Sequence, residues 1–152
     1  MRKKENEITD LESIEEIIHK AVIFRLAMTL DDNPYVVPLC FGYRAKTIFF
    51  HSAGQGKKID ILRKNNKVCF EFDVDCEPLE SGKACNWSMK YRSVIGWGKV
   101  SFIEDMKEKQ EALGLIMENY SENKFQFTEG MVRATLVAKI DIEQMTGKFS
   151  VD

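Results

Sequence analysis

The stretch KVCFEFDV, residues 67–74, alternates strictly between polar and apolar side chains. Successive side chains of a strand point to opposite faces, so this pattern predicts a strand with one buried and one exposed face. Val68, Phe70, Phe72 and Val74 would point inward. Half-buried strands of this kind are typical of antiparallel sheets, whose outer face contacts water.

Further strands are predicted on both sides of this one, and few helices separate them. Apolar runs predict strands at 22–30, 35–44, 47–52, 91–103, 132–142 and 147–151. Helical spacing predicts helices at 10–20, 57–65 and 106–120. Turn residues predict a turn at 31–34 and an acidic loop at 75–83. The strict strand–helix alternation of a doubly wound parallel sheet is missing. The sequence therefore predicts a mainly β protein, one domain over residues 1–152, folded as an antiparallel β-barrel with helical covers.

Two of the predicted strands contain residues that interrupt them. In the strand at 35–44, Pro38 cannot donate a ladder hydrogen bond, so this strand lies at a sheet edge or carries a bulge. In the long strand before the third helix, Gly96 and Gly98 share a face. These glycines either pack tightly inside the barrel or leave a flat face for a ligand. Arg92 in the same strand either forms a surface ion pair or offers its planar fork to a phosphate or carboxylate.

Composition and charge exclude several classes of protein. The chain has 152 residues, 44% of them apolar, and its 22 basic and 24 acidic residues give a net charge of −2. This balance lacks the basic surplus of a nucleic-acid-binding domain. No run of about 18 apolar residues predicts a transmembrane helix, and the polar N-terminus does not resemble a secretory signal. A cytoplasmic protein is therefore expected.

The four cysteines and two histidines do not predict a metal site. No C-x-x-C pair is present, and two histidines are too few to complete a zinc site with isolated cysteines. Free thiols suit a reducing cytoplasm. A disulfide between Cys76 and Cys85 is the alternative to four free thiols.

The stretch HSAGQGKK, residues 51–58, places two lysines where a strand passes into a helix. The helix dipole already makes this end positive, so each lysine costs a few tenths to about 1 kcal/mol unless an anion is near. Ser52 and the glycines let backbone N–H groups approach an oxyanion. Two interpretations remain open, a solvated connection or an anion site at Lys57 and Lys58. His51 is either a hydrogen-bonded structural residue or a proton donor.

In their order and spacing, these stretches resemble the flavin-binding split-barrel proteins related to pyridoxamine 5′-phosphate oxidase. The nitroimidazole-resistance reductases are the most similar group. The resemblance spans roughly residues 10–145 and depends on no single motif. The matching residues are Arg25-Leu26-Ala27-Met28, Asn33 to Tyr43, Phe50-His51-Ser52-Ala53 with Gly56-Lys57-Lys58, Asp60-Ile61-Leu62-Arg63, Val68-Cys69-Phe70-Glu71 and Tyr91-Arg92-Ser93-Val94-Ile95-Gly96.

The resemblance implies an FMN-binding split barrel that forms a homodimer with FMN at its interface. The isoalloxazine would lie along residues 38–43, the phosphate at residues 52–58, and residues 91–94 would close the pocket, from the neighbouring subunit. His51 would face the flavin and take part in reduction. The residues expected to contact the cofactor are Pro38, Leu39, Cys40, Phe41, Gly42, Tyr43, His51, Ser52, Ala53, Gly56, Lys57, Lys58, Tyr91, Arg92, Ser93 and Val94.

The activity implied by this resemblance is that of an FMN-dependent oxidoreductase. NAD(P)H or another cellular donor would supply electrons, and a nitroaromatic, quinone or pyridoxal-like compound would accept them. The chain departs from the resistance group at Cys40, where that group usually has Asn. The alternatives are a flavin-binding or storage module without its own turnover, a split barrel that binds heme or deazaflavin, and a silent homodimer that keeps only the fold.

Overall fold

The computed structural model describes residues 4–150, which form eight strands and four α-helices. The strands are β1 (Glu7–Ile8), β2 (Phe24–Leu30), β3 (Asn33–Leu39), β4 (Gly42–Arg44), β5 (Thr47–Ser52), β6 (Lys67–Leu79), β7 (Ser88–Ile103) and β8 (Leu136–Ser150). The helices are α1 (Leu11–Lys20), α2 (Lys57–Lys64), α3 (Met106–Glu118) and α4 (Glu129–Ala134). None of the helices within residues 4–150 is long and apolar enough to cross a membrane.

The strands form one antiparallel sheet in the order β3-β2-β6-β7-β8-β5-β4, and β1 pairs with β8. This arrangement confirms the predicted mainly β architecture with helical covers. The sheet is not closed, because β3 and β4 occupy its two ends and no ladder joins them in the part of the chain described. Only Cys40 and Phe41 separate these strands along the chain. The gap between the two edge strands, β3 and β4, is the split of the barrel.

Phenylalanines from four parts of the chain fill the interior of the sheet. Phe24, Phe41, Phe50, Phe70 and Phe72 are fully buried, and neighbouring ring centroids lie 4.9 to 6.1 Å apart. A fully buried Phe stabilises the fold by about 1.5–3 kcal/mol. The alternation predicted for residues 67–74 is confirmed, since the four apolar residues point into this core.

The two glycines of β7 are confirmed as packing residues. A Cβ at Gly96 would collide with the ring of Phe70, and one at Gly98 would collide with the carbonyl oxygen of Asp141. Their shared face is therefore covered by the barrel's own atoms and leaves no flat surface for a ligand.

Several predicted boundaries are wrong. The acidic loop at 75–83 begins only after Leu79, because β6 continues through a bulge at which Asp75 adopts φ +57°. The strand predicted at 132–142 begins at Leu136, since residues 129–134 form α4 behind the N-cap of Thr128. The separate strand at 147–151 is the end of β8, and its last residue lies outside the described range.

Candidate functional site

The strand predicted at 35–44 is two strands, which begin on opposite sides of the split. Pro38 lies in β3, and the prediction that its strand is an edge strand is confirmed. Cys40 is exposed and belongs to no strand. Because β3 and β4 are both edge strands, the backbone around this break is open to a ligand on one side.

The side chains next to the break point into the core. Phe41 is buried against Phe24 and Phe72, and Gly42 is also buried. Tyr43 donates from its hydroxyl to Glu15 Oε1 at 2.8 Å, and burial, followed by the Glu15 carboxylate, raises the pKa of Tyr43. Phe41, Gly42 and Tyr43 are thus buried as whole residues, and the part of the predicted ring contact that is accessible in this chain is Pro38 to Cys40.

The second group of predicted site residues lies where β5 passes into α2. His51 is exposed at the end of β5, followed by half-buried Ser52 and exposed Ala53. Gly56 is the N-cap of α2, with φ 122° and ψ 168°, a conformation almost restricted to glycine. It supplies no side-chain cap, so the first N–H groups of α2 remain available to another acceptor.

The two lysines of α2 lie near aromatic rings of two different strands, β3 and β5. Lys57 Nζ lies 4.6 Å from the ring centroid of Tyr35 in β3, and Lys58 Nζ lies 6.0 Å from that of Phe50 in β5. Within residues 4–150 neither ammonium group forms an ion pair with a carboxylate, whereas seven other basic side chains do. Burial lowers the pKa of Lys58. Asp60 is the acidic residue of the first turn, but it pairs with neither lysine in the described residues. Two cations at a helix N-terminus without an ion-pair partner make a site that favours an anion.

The third predicted group, residues 91–94, lies elsewhere in the chain. Arg92 donates from Nε to Asp75 at 2.9 Å and from Nη1 to Glu16 at 3.0 Å, which confirms the surface ion-pair interpretation. Ser93 and Val94 are buried. A cavity of about 590 Å³ opens beside this segment and is lined by Asp75, Cys76, Glu77, Lys90, Tyr91, Arg92, Phe149 and Ser150.

One chain does not bring the second and third groups together. Ser52 pairs with Leu136 at the start of β8, whereas Val94 pairs with Gly147 near its end. Eleven positions along a strand correspond to a path of about 35 Å. The two groups therefore lie toward opposite ends of β8.

Two residues at the split are not among the predicted cofactor contacts. Tyr35, which faces Lys57, belongs only to the matching run Asn33 to Tyr43, and Tyr120 only to the helix predicted at 106–120. The Tyr120 hydroxyl accepts from the backbone N–H of Phe41 at 3.0 Å. A bond between residues 79 positions apart leaves no local sequence signal.

Residues 4–150 contain no group of three or more His, Cys, Asp or Glu side chains that could hold a metal ion. All four cysteines are free thiols in this structure.

Comparison with known proteins gives a family and a set of similar structures. The sequence profile of the pyridoxamine 5′-phosphate oxidase family matches residues 10–149. A candidate 5-nitroimidazole antibiotic resistance protein from Bacteroides thetaiotaomicron VPI-5482 is 41% identical, with a TM-score of 0.85 over 94% of this chain and 86% of that one. A comparison with curated proteins gave no match.

Two more distant structures share the fold. The flavocytochrome Anf3 from Azotobacter vinelandii is 19% identical, with a TM-score of 0.86 over 100% of this chain and 72% of that one. An FAD- and heme-binding protein from Mycobacterium smegmatis is 16% identical, with a TM-score of 0.87 over 97% of this chain and 74% of that one.

Proposed function

Because the chain belongs to the pyridoxamine 5′-phosphate oxidase family, we propose that it is an FMN-dependent oxidoreductase that reduces a small acceptor. The observation that carries this proposal is the pair of lysines at the uncapped N-terminus of α2. Their missing counter-charge fits the phosphate of FMN, which brings about two negative charges and several strong acceptor oxygens.

The phosphate end of the cofactor is assigned to the β5–α2 connection. Lys58, which is half-buried, would pair with the phosphate in a partly desolvated place, where such a pair is stronger than at the surface. Lys57 is more exposed and would contribute less. The Ser52 hydroxyl and the backbone N–H groups of Ala53 and Gly56 would complete the anion cradle.

The ring end of the cofactor is assigned to residues 38–43. Exposed Pro38 and Cys40 and half-buried Leu39 can approach a flat ring, because no strand of residues 4–150 covers the free edge of β3. Bound FMN would supply the electron chemistry by accepting two electrons from a nicotinamide donor and passing them to the acceptor. The chain would set the orientation, the local charge and the access of water.

His51 is proposed as the proton donor or substrate anchor. It is exposed at the end of β5, next to the phosphate cradle and two residues after Phe49, which pairs with Gly42 at the start of β4. Imidazole changes charge near neutral pH, which suits a group that delivers a proton to a reduced acceptor.

We also propose that two copies of the chain form the active protein. The position of residues 91–94 supports this, because they pair near one end of β8 and the cradle lies at the other. A second support is the apolar row Val36, Ala27, Cys69 and Trp97, which register pairing places side by side on the outer face of four strands. Val36 and Trp97 are 55% and 45% exposed, and a dimer would cover them.

The dimer proposal is tested by a charge placed in this row. Trp97→Glu should give a monomer in light scattering and should lose FMN, because the partner no longer contributes residues 91–94. Phe125→Glu is the matched control, since Phe125 is a similarly exposed aromatic residue in the α3–α4 loop. A monomeric wild-type chain that retains stoichiometric FMN would contradict the proposal.

A nitroaromatic compound is the proposed acceptor, since the 41% identical structure is a candidate 5-nitroimidazole resistance protein. The test is anaerobic addition of NADH or NADPH to the FMN-loaded protein, followed by a nitroimidazole. We expect the nicotinamide to bleach the flavin absorption band, the acceptor to restore it, and His51→Ala to retain FMN but slow reoxidation. A flavin that stays oxidised with both donors would indicate a storage module, and an unchanged His51→Ala rate would make His51 structural.

A further inference from the structure

Tyr120 connects the chain segments that meet at the split. It follows the last turn of α3, where its backbone N–H donates to the carbonyl of Met117 at 3.0 Å. Its hydroxyl accepts from the N–H of Phe41 at 3.0 Å and donates to the carbonyl of Val22 at 2.8 Å. One phenol thus joins the break between β3 and β4 to the segment that leads into β2.

These two bonds use the hydroxyl in its neutral form. A phenol has one hydrogen to donate, and here it goes to Val22, so the Phe41 N–H must meet an oxygen lone pair. Burial raises the pKa of Tyr120, and the neighbouring Cys40 side chain raises it further. The hydroxyl therefore keeps its hydrogen at neutral pH, and the connection persists.

The same helix holds the next residue by direct packing. A Cβ built on Gly42 would lie 2.7 Å from the carbonyl carbon of Leu115 and 2.8 Å from the nitrogen of Ile116, so the α3 backbone rests on this glycine. Cys40 and Phe41 belong to no strand. The backbone between residues 40 and 42 is therefore fixed from the α3 side and not by a sheet ladder alone.

We propose that Tyr120 is a positioning residue for the flavin ring, because it fixes the backbone of Phe41 and thereby the adjoining residues 38–40, along which the ring is assigned. This inference depends on the proposed function, which assigns the ring to residues 38–43. Tyr120 acts through Phe41, not through its own contact with the cofactor. A change at Tyr120 should therefore alter the ring end of the site and leave the phosphate end unchanged.

The test is Tyr120→Phe, which keeps the ring and removes only the hydroxyl. FMN and riboflavin should bind about fivefold more weakly and by similar factors, since one such bond is worth of order 1 kcal/mol and riboflavin shares the ring. The midpoint potential and the visible absorption band of bound flavin should both shift. In the apoprotein, hydrogen exchange at the Phe41 amide should become faster.

Asp105→Ala is the matched control, because Asp105 caps the opposite end of α3 by accepting from the Glu108 N–H at 2.8 Å. It should lower the thermal midpoint by an amount similar to that of Tyr120→Phe, without changing the flavin potential or Phe41 exchange. If Tyr120→Phe matches this control in flavin affinity, potential and Phe41 exchange, the inference is wrong while the proposed function stands. A wild-type chain that binds neither FMN nor riboflavin would refute both.

Discussion

Replacing Lys58 by alanine should weaken FMN binding much more than replacing Lys57, although the two residues are neighbours. Lys58 is half-buried over Phe50, and burial lowers the pKa of its ammonium group, so its charge is poorly solvated in the free protein. Lys57 is exposed over Tyr35. A phosphate at this site would pair with a poorly hydrated ammonium group at Lys58 and with a well hydrated one at Lys57. The pair with Lys58 should therefore contribute more to the binding free energy.

The expected magnitudes follow from these two environments. A hydrogen bond to a charged group in a protected place contributes about 1.5–3 kcal/mol, which corresponds to roughly 10- to 150-fold in affinity for Lys58→Ala. An exposed pair contributes about 0.2–1 kcal/mol, so Lys57→Ala should weaken FMN by roughly 1.5- to 5-fold. The double variant should lose FMN during purification while its thermal unfolding remains close to that of the wild type.

The assay is fluorescence titration of the apoproteins with FMN and, in parallel, with riboflavin, which has the same ring and no phosphate. Both lysine variants should bind riboflavin like the wild type. Lys64→Ala, at the other end of α2, removes the same charge and should change neither affinity. Equal losses of affinity for FMN and riboflavin would show that the lysines act through the fold and not through the phosphate. A double variant that retains stoichiometric FMN would show that the phosphate does not bind at this site.

Three further results are expected. FMN affinity should decline as pH rises through the pKa of Lys58, because the phosphate binds the charged ammonium group. Burial lowers the pKa of Lys58, so the decline should begin at a lower pH than for an ordinary lysine of pKa 10.5. Riboflavin titrations should show no such decline. Gly42→Ala should destabilise the fold by about 1–3 kcal/mol in urea unfolding, because the new Cβ would collide with the α3 backbone. Gly114→Ala should stabilise the fold by about 0.5–1 kcal/mol, because no atom lies within 4 Å of the new Cβ and alanine favours a helix. Gly56→Ala should cost about 1–3 kcal/mol through backbone strain, while Gly54→Ala in open space should be nearly neutral in the same assay.

Local patterns predicted the parts of the fold that depend on neighbouring residues. The alternation at residues 67–74 identified the inward face of β6. The helix predicted at 10–20 matches α1, whose N-cap Asp10 accepts from the Ser13 N–H at 2.8 Å. The apolar residues at 132 and 134 gave a false strand signal, because the cap at Thr128 and the packing of Val132 against α3 favour a helix.

Non-local contacts decided what the sequence did not show. The bulge after Val74 is set by pairing with β7, which resumes at Glu77 and Lys90, so the charged residues that suggest a loop instead extend a strand. The split has the same origin, since β3 pairs with β2 and β4 with β5. At the candidate site, the sequence predicted two lysines at the start of α2. It did not show that neither lysine forms an ion pair in the folded chain.

The central claim is that the N-terminus of α2 binds the phosphate of a flavin. Equilibrium titration of the purified apoprotein with FMN tests this most directly, with bound flavin counted per chain from its visible absorption. The account predicts saturable binding of one FMN per chain that inorganic phosphate weakens by competition. A chain that stays colourless and does not quench FMN fluorescence at any concentration would contradict it.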